Sequence, residues 1–168
     1  VDLARGISRY TADYQNKGVT SPFMGRQLRG ATLGVIGHGA IGSDLVSLGL
    51  ALGMKVLVHT PESVALLPGM QQVNLHALLG GSDFVVCLAP ANAQTANLMN
   101  ADAFKAMQPG AFFINASRGE LVDDEALLAA LDSGHLGGCA LDVGRAADQM
   151  PSTQLARHPL VIATPHIG

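Results

Sequence analysis

The feature that most constrains this chain is a glycine-rich turn that follows an apolar run without a gap. The run is Leu33 to Ile36, and the turn has the spacing Gly37-x-Gly39-x-x-Gly42. A short run rich in branched apolar residues predicts a buried strand. After the turn, apolar residues recur at the spacing of one helix face, namely at Ile41, Leu45, Leu48 and Leu52.

The neighbours of this turn decide its interpretation. Gly53 is predicted to end the helix, and Lys55 to His59 is typical of a second strand. Three glycines between a strand and a helix N-terminus permit a tight turn, close approach of a pyrophosphate, and close packing of helix on strand. The free N–H groups and the helix dipole then favour phosphate. A bare motif of this kind recurs by chance, but this context favours dinucleotide binding over a merely structural turn.

Composition limits the fold class and the partners. The chain has 168 residues, of which 48% are apolar and 14% charged, which favours a single domain with a buried parallel sheet. A net charge of −3 gives no support for binding to nucleic acid or to a membrane surface. No secretory leader is evident, and we expect a cytoplasmic protein. Cys87 and Cys139 fall in predicted buried strands, where we expect free thiols that could be neighbours in the sheet.

Strand and helix patterns alternate along the chain. Predicted strands cover residues 33–36, 55–59, 72–73, 84–88, 111–115, 139–141 and 160–163. Predicted helices follow the glycine turn and cover residues 62–67, 75–79 and 101–107, the last with Asn100 as N-cap, and one more lies between Asp123 and Gly134. This order predicts an α/β fold, a Rossmann-type doubly wound parallel sheet with helices on both faces.

A separate helix is predicted before this sheet. Leu3, Ile7, Tyr10 and Tyr14 have helical spacing, and a polar connection covers residues 17–30. We therefore divide the chain into residues 1–30, a helix with its connecting loop, and residues 31–168, the dinucleotide-binding domain. The apolar stripe either packs on its own domain or forms a subunit interface.

Five side chains with possible functions lie just past predicted strand ends. In open parallel sheets, ligands bind beyond the carboxyl ends of the strands. The fold is therefore expected to gather these residues along one edge: Thr60, Pro90, Arg118, Asp142 and His166.

Four stretches, in this order, resemble one family of enzymes, the D-2-hydroxyacid dehydrogenases. They are Gly37-x-Gly39-x-Ile41-Gly42, Ile114-Asn-Ala-Ser-Arg118-Gly119, Ala140-Leu-Asp142-Val143 and Thr164-Pro-His166-Ile-Gly168. The resemblance covers the NAD(P)-binding domain, and the substrate domain of the family is expected to be absent from this chain. It implies an oxidoreductase that transfers a hydride between NAD(P)H and a 2-keto or 2-hydroxy acid. The chain alone is not expected to turn over substrate.

The resemblance also implies roles for single residues. Arg118 would hold the substrate carboxylate and His166 would be the general acid/base. Asp142 would bond the nicotinamide amide, a role compatible with simple capping of a strand end. Pro90 and Thr95 would lie beside the cofactor. The candidate cofactor-binding residues are Gly37, Gly39, Ala40, Ile41, Gly42, His59, Thr60, Pro61, Ala89, Pro90, Thr95, Ala116, Ser117, Arg118, Asp142, His166 and Gly168; no metal site is expected.

Two positions depart from the family pattern. Thr60 replaces the usual acid after the second strand, and no Lys or Arg lies between His59 and Val64, so we expect weak discrimination between NAD and NADP. The glutamate that partners the histidine falls on Ala147. Asp148, one residue later, is the only nearby carboxylate, and it either takes over as a third catalytic residue or is a solvated loop residue.

A different class of function also fits these patterns. A non-catalytic dinucleotide-binding module, such as the C-terminal-binding-protein corepressors, resembles the same family. Ala147 favours this alternative, whereas Arg118 and His166 favour the enzyme. For either function we expect a homodimer, with the helix from Leu3 to Tyr14 as its contact.

Overall fold

Seven parallel strands form one sheet in a computed structural model that describes residues 1–18 and 24–168. The strands are β1 Thr32–Ile36, β2 Lys55–His59, β3 Met70–Gln72, β4 Phe84–Cys87, β5 Phe112–Asn115, β6 Gly138–Leu141 and β7 Val161–Ala163. Their spatial order is β3-β2-β1-β4-β5-β6-β7. The order reverses at β1, so the crevice between β1 and β4 is the point at which such sheets bind ligands. The predicted doubly wound sheet is confirmed.

Helices cover both faces of this sheet. They are α1 Asp2–Arg5, α2 Ile7–Lys17, α3 Ala40–Ala51, α4 Leu75–Gly81, α5 Ala101–Ala106, α6 Asp124–Asp132 and α7 Thr153–Ala156, with a 3₁₀ turn at Gly119–Leu121. Alternate residues of a strand enter different cores, as Val85 and Val86 show. The core with Val85 is closed by α4, α5 and α6, and the core with Val86 by α1 and α3. No helix in the described residues is long and apolar enough to cross a membrane.

The predicted N-cap at Asn100 is confirmed, and Asp123, expected at a helix start, is also an N-cap. The Asn100 side chain accepts the Ala103 N–H at 3.0 Å and begins α5. Asp123 accepts the N–H groups of Glu125 and Ala126 and begins α6. Local sequence therefore sets these helix starts correctly.

The face of α3 that packs on the sheet differs from the predicted one. Ile41 and Leu48, on the predicted apolar stripe, are 70% and 57% exposed. The buried residues of α3 are instead Gly42, Val46 and Gly49. A β-carbon on Gly49 would lie 2.8 Å from the Leu33 side chain, so the helix packs too closely for large residues on this face. Ile41, Leu48 and Leu52 of the predicted stripe are left exposed, and only Leu45 packs partly against the core.

Other predictions are corrected in detail. The N-terminal helix is two helices, because Gly6 takes a left-handed conformation with φ of 62°. Residues 62–67 form no helix. Part of the predicted polar connection, residues 19–23, lies outside the described residues, and α2 extends to Lys17.

Both cysteines are free and buried, as predicted. They are not neighbours in the sheet, because β5 lies between their strands β4 and β6. Burial raises the pKa of the Cys87 thiol to about 11 and also raises that of Cys139. Both groups are therefore protonated near neutral pH.

Candidate active site

The glycine turn connects β1 directly to the loop that follows β4. Gly37 has φ of 96°, which side chains rarely adopt, and a β-carbon there would lie 2.7 Å from the Ala89 nitrogen. Its N–H donates to the His59 carbonyl at 2.8 Å. Gly37 therefore fixes the ends of β1, β2 and β4 relative to one another.

Gly39, unlike Gly37, is not crowded by neighbouring atoms. A β-carbon on Gly39 would meet no atom within 4 Å, so the space beside its backbone is open. Gly39 is also the N-cap of α3 and provides no side-chain cap. The first amide groups of a helix have no internal partners and attract anions. Open space beside Gly39, at the N-terminus of the helix that begins with Ala40, Ile41 and Gly42, fits the pyrophosphate of a dinucleotide.

The end of β2 contributes the next group of predicted residues. Nδ1 of His59 lies 3.2 Å from the Val73 carbonyl oxygen, so this ring bonds the backbone beyond β3. Thr60 is half-buried and its hydroxyl makes no hydrogen bond within the described residues, whereas Pro61 is exposed. The Thr60 hydroxyl is therefore free to meet a ligand.

The loops after β4 and β5 are joined by side-chain hydrogen bonds. The Ser117 hydroxyl donates to the Ala89 carbonyl at 2.7 Å. The Thr95 hydroxyl donates to the Pro90 carbonyl at 2.6 Å and accepts the Asn92 N–H at 2.9 Å. These bonds fix the shape of the loops after β4 and β5, which carry several of the predicted cofactor residues.

Arg118 lies in a turn that a buried amide holds. Asn115 is 1% exposed; its Nδ2 donates to the Arg118 carbonyl at 2.9 Å and its Oδ1 accepts the Ser117 N–H at 3.1 Å. Arg118 itself is exposed, and its Nη1 donates to the Ser117 carbonyl at 2.8 Å. The other guanidinium N–H groups make no hydrogen bond within the described residues and can bind an anion.

Asp142 holds the segment that carries His166. Its Oδ1 accepts the Thr164 hydroxyl at 2.6 Å and the Ile167 N–H at 3.0 Å, and its Oδ2 accepts the Gly168 N–H at 2.8 Å. The Thr164 hydrogen bond, above all, lowers the pKa of the Asp142 carboxyl, and nearby His166 adds a smaller lowering. His166 is exposed and has φ of 54°, an uncommon conformation for a non-glycine residue. Asp142 therefore stabilises an unusual backbone at the predicted general acid/base.

The loop after β6 has its own bonds. Nε of Arg145 donates to the Val122 carbonyl at 2.7 Å, and its Nη2 donates to Asn97 and to the Glu120 carbonyl. Gly144 N–H donates to the Gln149 carbonyl at 2.7 Å. These contacts anchor the loop on the 3₁₀ turn that follows Arg118.

The structure does not bring Asp148 and His166 together. The Asp148 carboxylate accepts the Met150 N–H at 3.0 Å within its own loop, and its side chain is exposed. Within residues 24–168 it makes no ion pair with His166. A partnership of the two side chains therefore requires the loop to rearrange.

Four residues shape the site without having been predicted to do so. Asn115 and Thr164 lie inside the motifs quoted above, and burial of a polar residue at a strand end was the available signal for Asn115. Gln72 bonds the backbone of Thr60, Glu62 and Val64, 8 to 12 residues away, and the partners of Arg145 are 23 to 48 residues away. Neither residue therefore has a local signal in the sequence. All four hold in place a segment that lies beside them in space: Gln72, Asn115, Arg145 and Thr164.

The fold and this edge define the class of protein. A parallel sheet whose order reverses at a glycine turn, with an exposed arginine and histidine past β5 and β7, is a dinucleotide-binding domain of the oxidoreductase type. The family model described as "D-isomer specific 2-hydroxyacid dehydrogenase, NAD binding domain" matches residues 1–168. The chain belongs to this family.

Named relatives agree with this assignment. The chain is 38% identical over 157 residues to D-3-phosphoglycerate dehydrogenase of Synechocystis, covering 92% of this chain and 28% of the relative. It is 38% identical over 149 residues to (S)-sulfolactate dehydrogenase of Chromohalobacter salexigens, covering 86% and 48%. The chain spans less than a third of the length of the phosphoglycerate dehydrogenases that it matches.

Solved structures share the fold closely. D-lactate dehydrogenase of Aquifex aeolicus, complexed with NAD and lactic acid, superposes with a TM-score of 0.89 at 30% identity, covering 99% of this chain and 56% of that one. A D-isomer specific 2-hydroxyacid dehydrogenase of Xanthobacter autotrophicus, complexed with NADPH and MES, gives 0.87 at 30% identity, covering 99% and 69%. The doubly wound fold is thus shared with proteins crystallised with either dinucleotide.

Proposed function

We propose that this chain is the cofactor-binding part of an oxidoreductase that transfers a hydride between NAD(P)H and a 2-keto or 2-hydroxy acid. The observation that carries the proposal is the placement of Arg118 and His166 past β5 and β7, at the same sheet edge as the glycine turn. Hydrogen bonds of the Asn115 side chain hold the turn that carries Arg118, and those of Asp142 hold the segment that carries His166.

Arg118 is proposed to bind the substrate carboxylate. A guanidinium is always charged and pairs with a carboxylate through two parallel hydrogen bonds. Only its Nη1 has a partner within the described residues. Orienting the carboxylate also places the carbonyl of the ketoacid beside the same positive charge.

His166 is proposed as the general acid/base. An imidazole titrates near neutral pH, so it can donate a proton to the oxygen of the nascent alkoxide and take it back in the reverse reaction. When bound, the dinucleotide supplies or accepts the hydride. Residues of the glycine turn would hold its pyrophosphate, and Asp142 would accept a hydrogen bond from its nicotinamide amide.

The preference between NAD and NADP is proposed to be weak. An acid after β2 repels a 2′-phosphate, and Thr60 removes this repulsion without adding a positive charge. Titration of the protein with NADH and NADPH tests this. We expect similar affinities with NADH slightly favoured, and an about hundredfold preference for either would contradict it.

Asp148 is proposed as the carboxylate that partners His166 in place of the missing glutamate. A carboxylate beside an imidazole stabilises its charged form and fixes which nitrogen carries the proton. The support is that Asp148 is the only acid in residues 143–151. It must leave the Met150 amide to reach His166.

The working assembly is proposed to be a cytoplasmic homodimer. Ile7 and Tyr14 on α2 are 53% and 66% exposed, and Leu48 of α3 is 57% exposed. These apolar residues find no cover within the described chain, which favours a subunit interface over packing on their own domain. A monomer in sedimentation at high concentration would contradict this part.

A turnover assay with a panel of 2-ketoacids tests the enzyme proposal. We expect the 168-residue chain to bind NADH without reducing ketoacid, and the complete enzyme to reduce one or more. Arg118→Met should abolish reduction by the complete enzyme while the protein still binds NADH, since the guanidinium is assigned to the substrate carboxylate. NADH binding with no turnover of any ketoacid by the complete protein would favour the non-catalytic module, which the relatives above do not support.

A further inference from the structure

The segment from Thr60 to Val64, here called the ribose loop, follows the carboxyl end of β2. It adjoins the glycine turn, because Gly37 N–H donates to the His59 carbonyl immediately before it. The loop has no helix or strand of its own. In this fold, the residues after the second strand face the adenosine ribose of the dinucleotide.

One side chain on the edge strand β3 holds this loop. Nε2 of Gln72 donates to the Thr60 carbonyl at 3.2 Å and to the Glu62 carbonyl at 2.7 Å. Its Oε1 accepts the Val64 N–H at 3.2 Å. In the described chain, no other hydrogen bond holds residues 60–64. Every second residue of the loop is thus tied to one amide.

Only a glutamine amide satisfies these three partners. Two carbonyl oxygens need two N–H donors, and one backbone N–H needs an acceptor at a similar distance from the backbone of β3. A glutamate lacks both donors, and a leucine lacks all three groups. The bond to the Glu62 carbonyl also occupies an acceptor that an α-helix over residues 62–67 would use.

We propose that Gln72 is a positioning residue for the dinucleotide, which holds the ribose loop in the shape that receives the adenosine ribose and so contributes to affinity and to selection at the 2′ position. This inference rests on the proposed function, because it requires dinucleotide binding at this edge. The loop held by Gln72 contains two hydroxyls that make no hydrogen bond within the described residues, at Thr60 and Ser63, one carboxylate, at Glu62, and no cation. The shape of the ribose loop therefore decides how its hydroxyl and carboxylate groups approach the 2′ position of the adenosine ribose.

The test compares Gln72→Leu and Gln72→Glu with Gln71→Leu in the 168-residue chain. Gln71 is the matched control, since it lies on the same strand, is exposed and makes no side-chain hydrogen bond within the described residues. Affinities for NADH, NADPH and ADP-ribose are measured at 25 °C, with circular dichroism to establish folding. If Gln72→Leu fails to fold, Gln72→Glu, which stays polar and keeps the acceptor, decides the outcome.

We expect both Gln72 variants to lose about tenfold in NADH and ADP-ribose affinity, because an ordered loop becomes mobile. The ratio of NADH to NADPH affinity should change by about threefold or more, which a general loss of stability in a folded protein would not produce. Gln71→Leu should stay within about twofold of the parent. Unchanged affinities and ratio in the Gln72 variants, or equal losses in all three variants, would overturn the inference. Failure of the parent chain to bind either dinucleotide would instead overturn the proposed function.

Discussion

The glycine turn after β1 and the loops after β5, β6 and β7 organise the same sheet edge by different means. The turn is fixed by backbone: Gly37 has a left-handed conformation and lies against Ala89 without using a side chain. The loops after β5 and β7 are fixed by side chains, with Asn115 and Asp142 each bonding two backbone groups. The glycine turn, which is shaped by its backbone, tolerates few substitutions at its glycines. The loops that side chains hold depend instead on particular polar atoms.

This difference matches the chemistry proposed for each region. A pyrophosphate is bound by backbone N–H groups at a helix end, which any sequence with the right glycines can present. A carboxylate and a transferred proton need particular side chains at fixed positions, so those side chains need their own supports. The ribose loop is intermediate, since one side chain, Gln72, holds an otherwise unsupported backbone.

The largest expected effect comes from substitutions in the glycine turn after β1. Gly37→Ala should destabilise the fold by about 2 kcal/mol or more, because alanine meets both an unfavourable φ and the Ala89 nitrogen. Gly39→Ala is the matched control for stability, since its β-carbon enters open space. It should unfold like the parent in denaturant but bind NADH at least about tenfold more weakly, because the methyl group occupies the proposed pyrophosphate space. Equal stability of Gly37→Ala and the parent would contradict this.

The next effect tests the support of Arg118. Asn115→Ala should cost about 1–3 kcal/mol in the free energy of unfolding, because it leaves the Arg118 carbonyl and Ser117 N–H without their partner. The complete enzyme should also show a higher KM for ketoacid, as Arg118 is no longer oriented. Asn16→Ala, an exposed change on α2, is the control and should leave both quantities unchanged. A normal KM in Asn115→Ala would show that Arg118 needs no such support.

A smaller effect depends on pH and concerns the segment that carries His166. Asp142 has a pKa below its usual range in the folded protein, so its contribution to stability is fully present above the unfolded value near 3.8. The contribution is lost as pH falls through the lower folded value. Hydrogen exchange of the Ile167 and Gly168 amides should therefore become less protected below about pH 4, and Asp142→Asn should show the weaker protection at neutral pH as well. Equal protection of these amides in the variant and the parent at pH 7 would refute the proposed support.

The smallest expected effect concerns Asp148, whose carboxylate must leave the Met150 amide to act. Asp148→Asn should reduce ketoacid reduction by the complete enzyme by about two- to threefold at neutral pH and move the pH–rate profile toward lower pH. Asp148→Glu, which keeps the charge, should retain the parent profile. Superimposable profiles for Asp148→Asn and the parent would remove Asp148 from the catalytic residues.

Much of the candidate site could be predicted from the sequence, because the patterns that indicate it are local. The strand, glycines and helix of the dinucleotide turn are contiguous, and the motifs with Arg118, Asp142 and His166 directly follow strands. Their arrival at one edge then follows from the parallel order of the sheet. The side chains that hold these loops could not be predicted. The hydrogen bonds of Gln72, Asn115 and Arg145 depend on tertiary geometry that residue type alone does not specify.

The sequence by itself determined the strands, the glycine turn, the cap at Asn100, the start of the helix near Asp123, and the family of the chain. Each of these depends on interactions between residues a few positions apart. Only the tertiary structure decided which face of α3 is buried, since close packing on Leu33 selects Gly49 over the larger apolar residues. It also decided the partners of Arg145, because hydrogen bonds across 23 residues, as from Arg145 to Val122, form only after the sheet has brought the loops together.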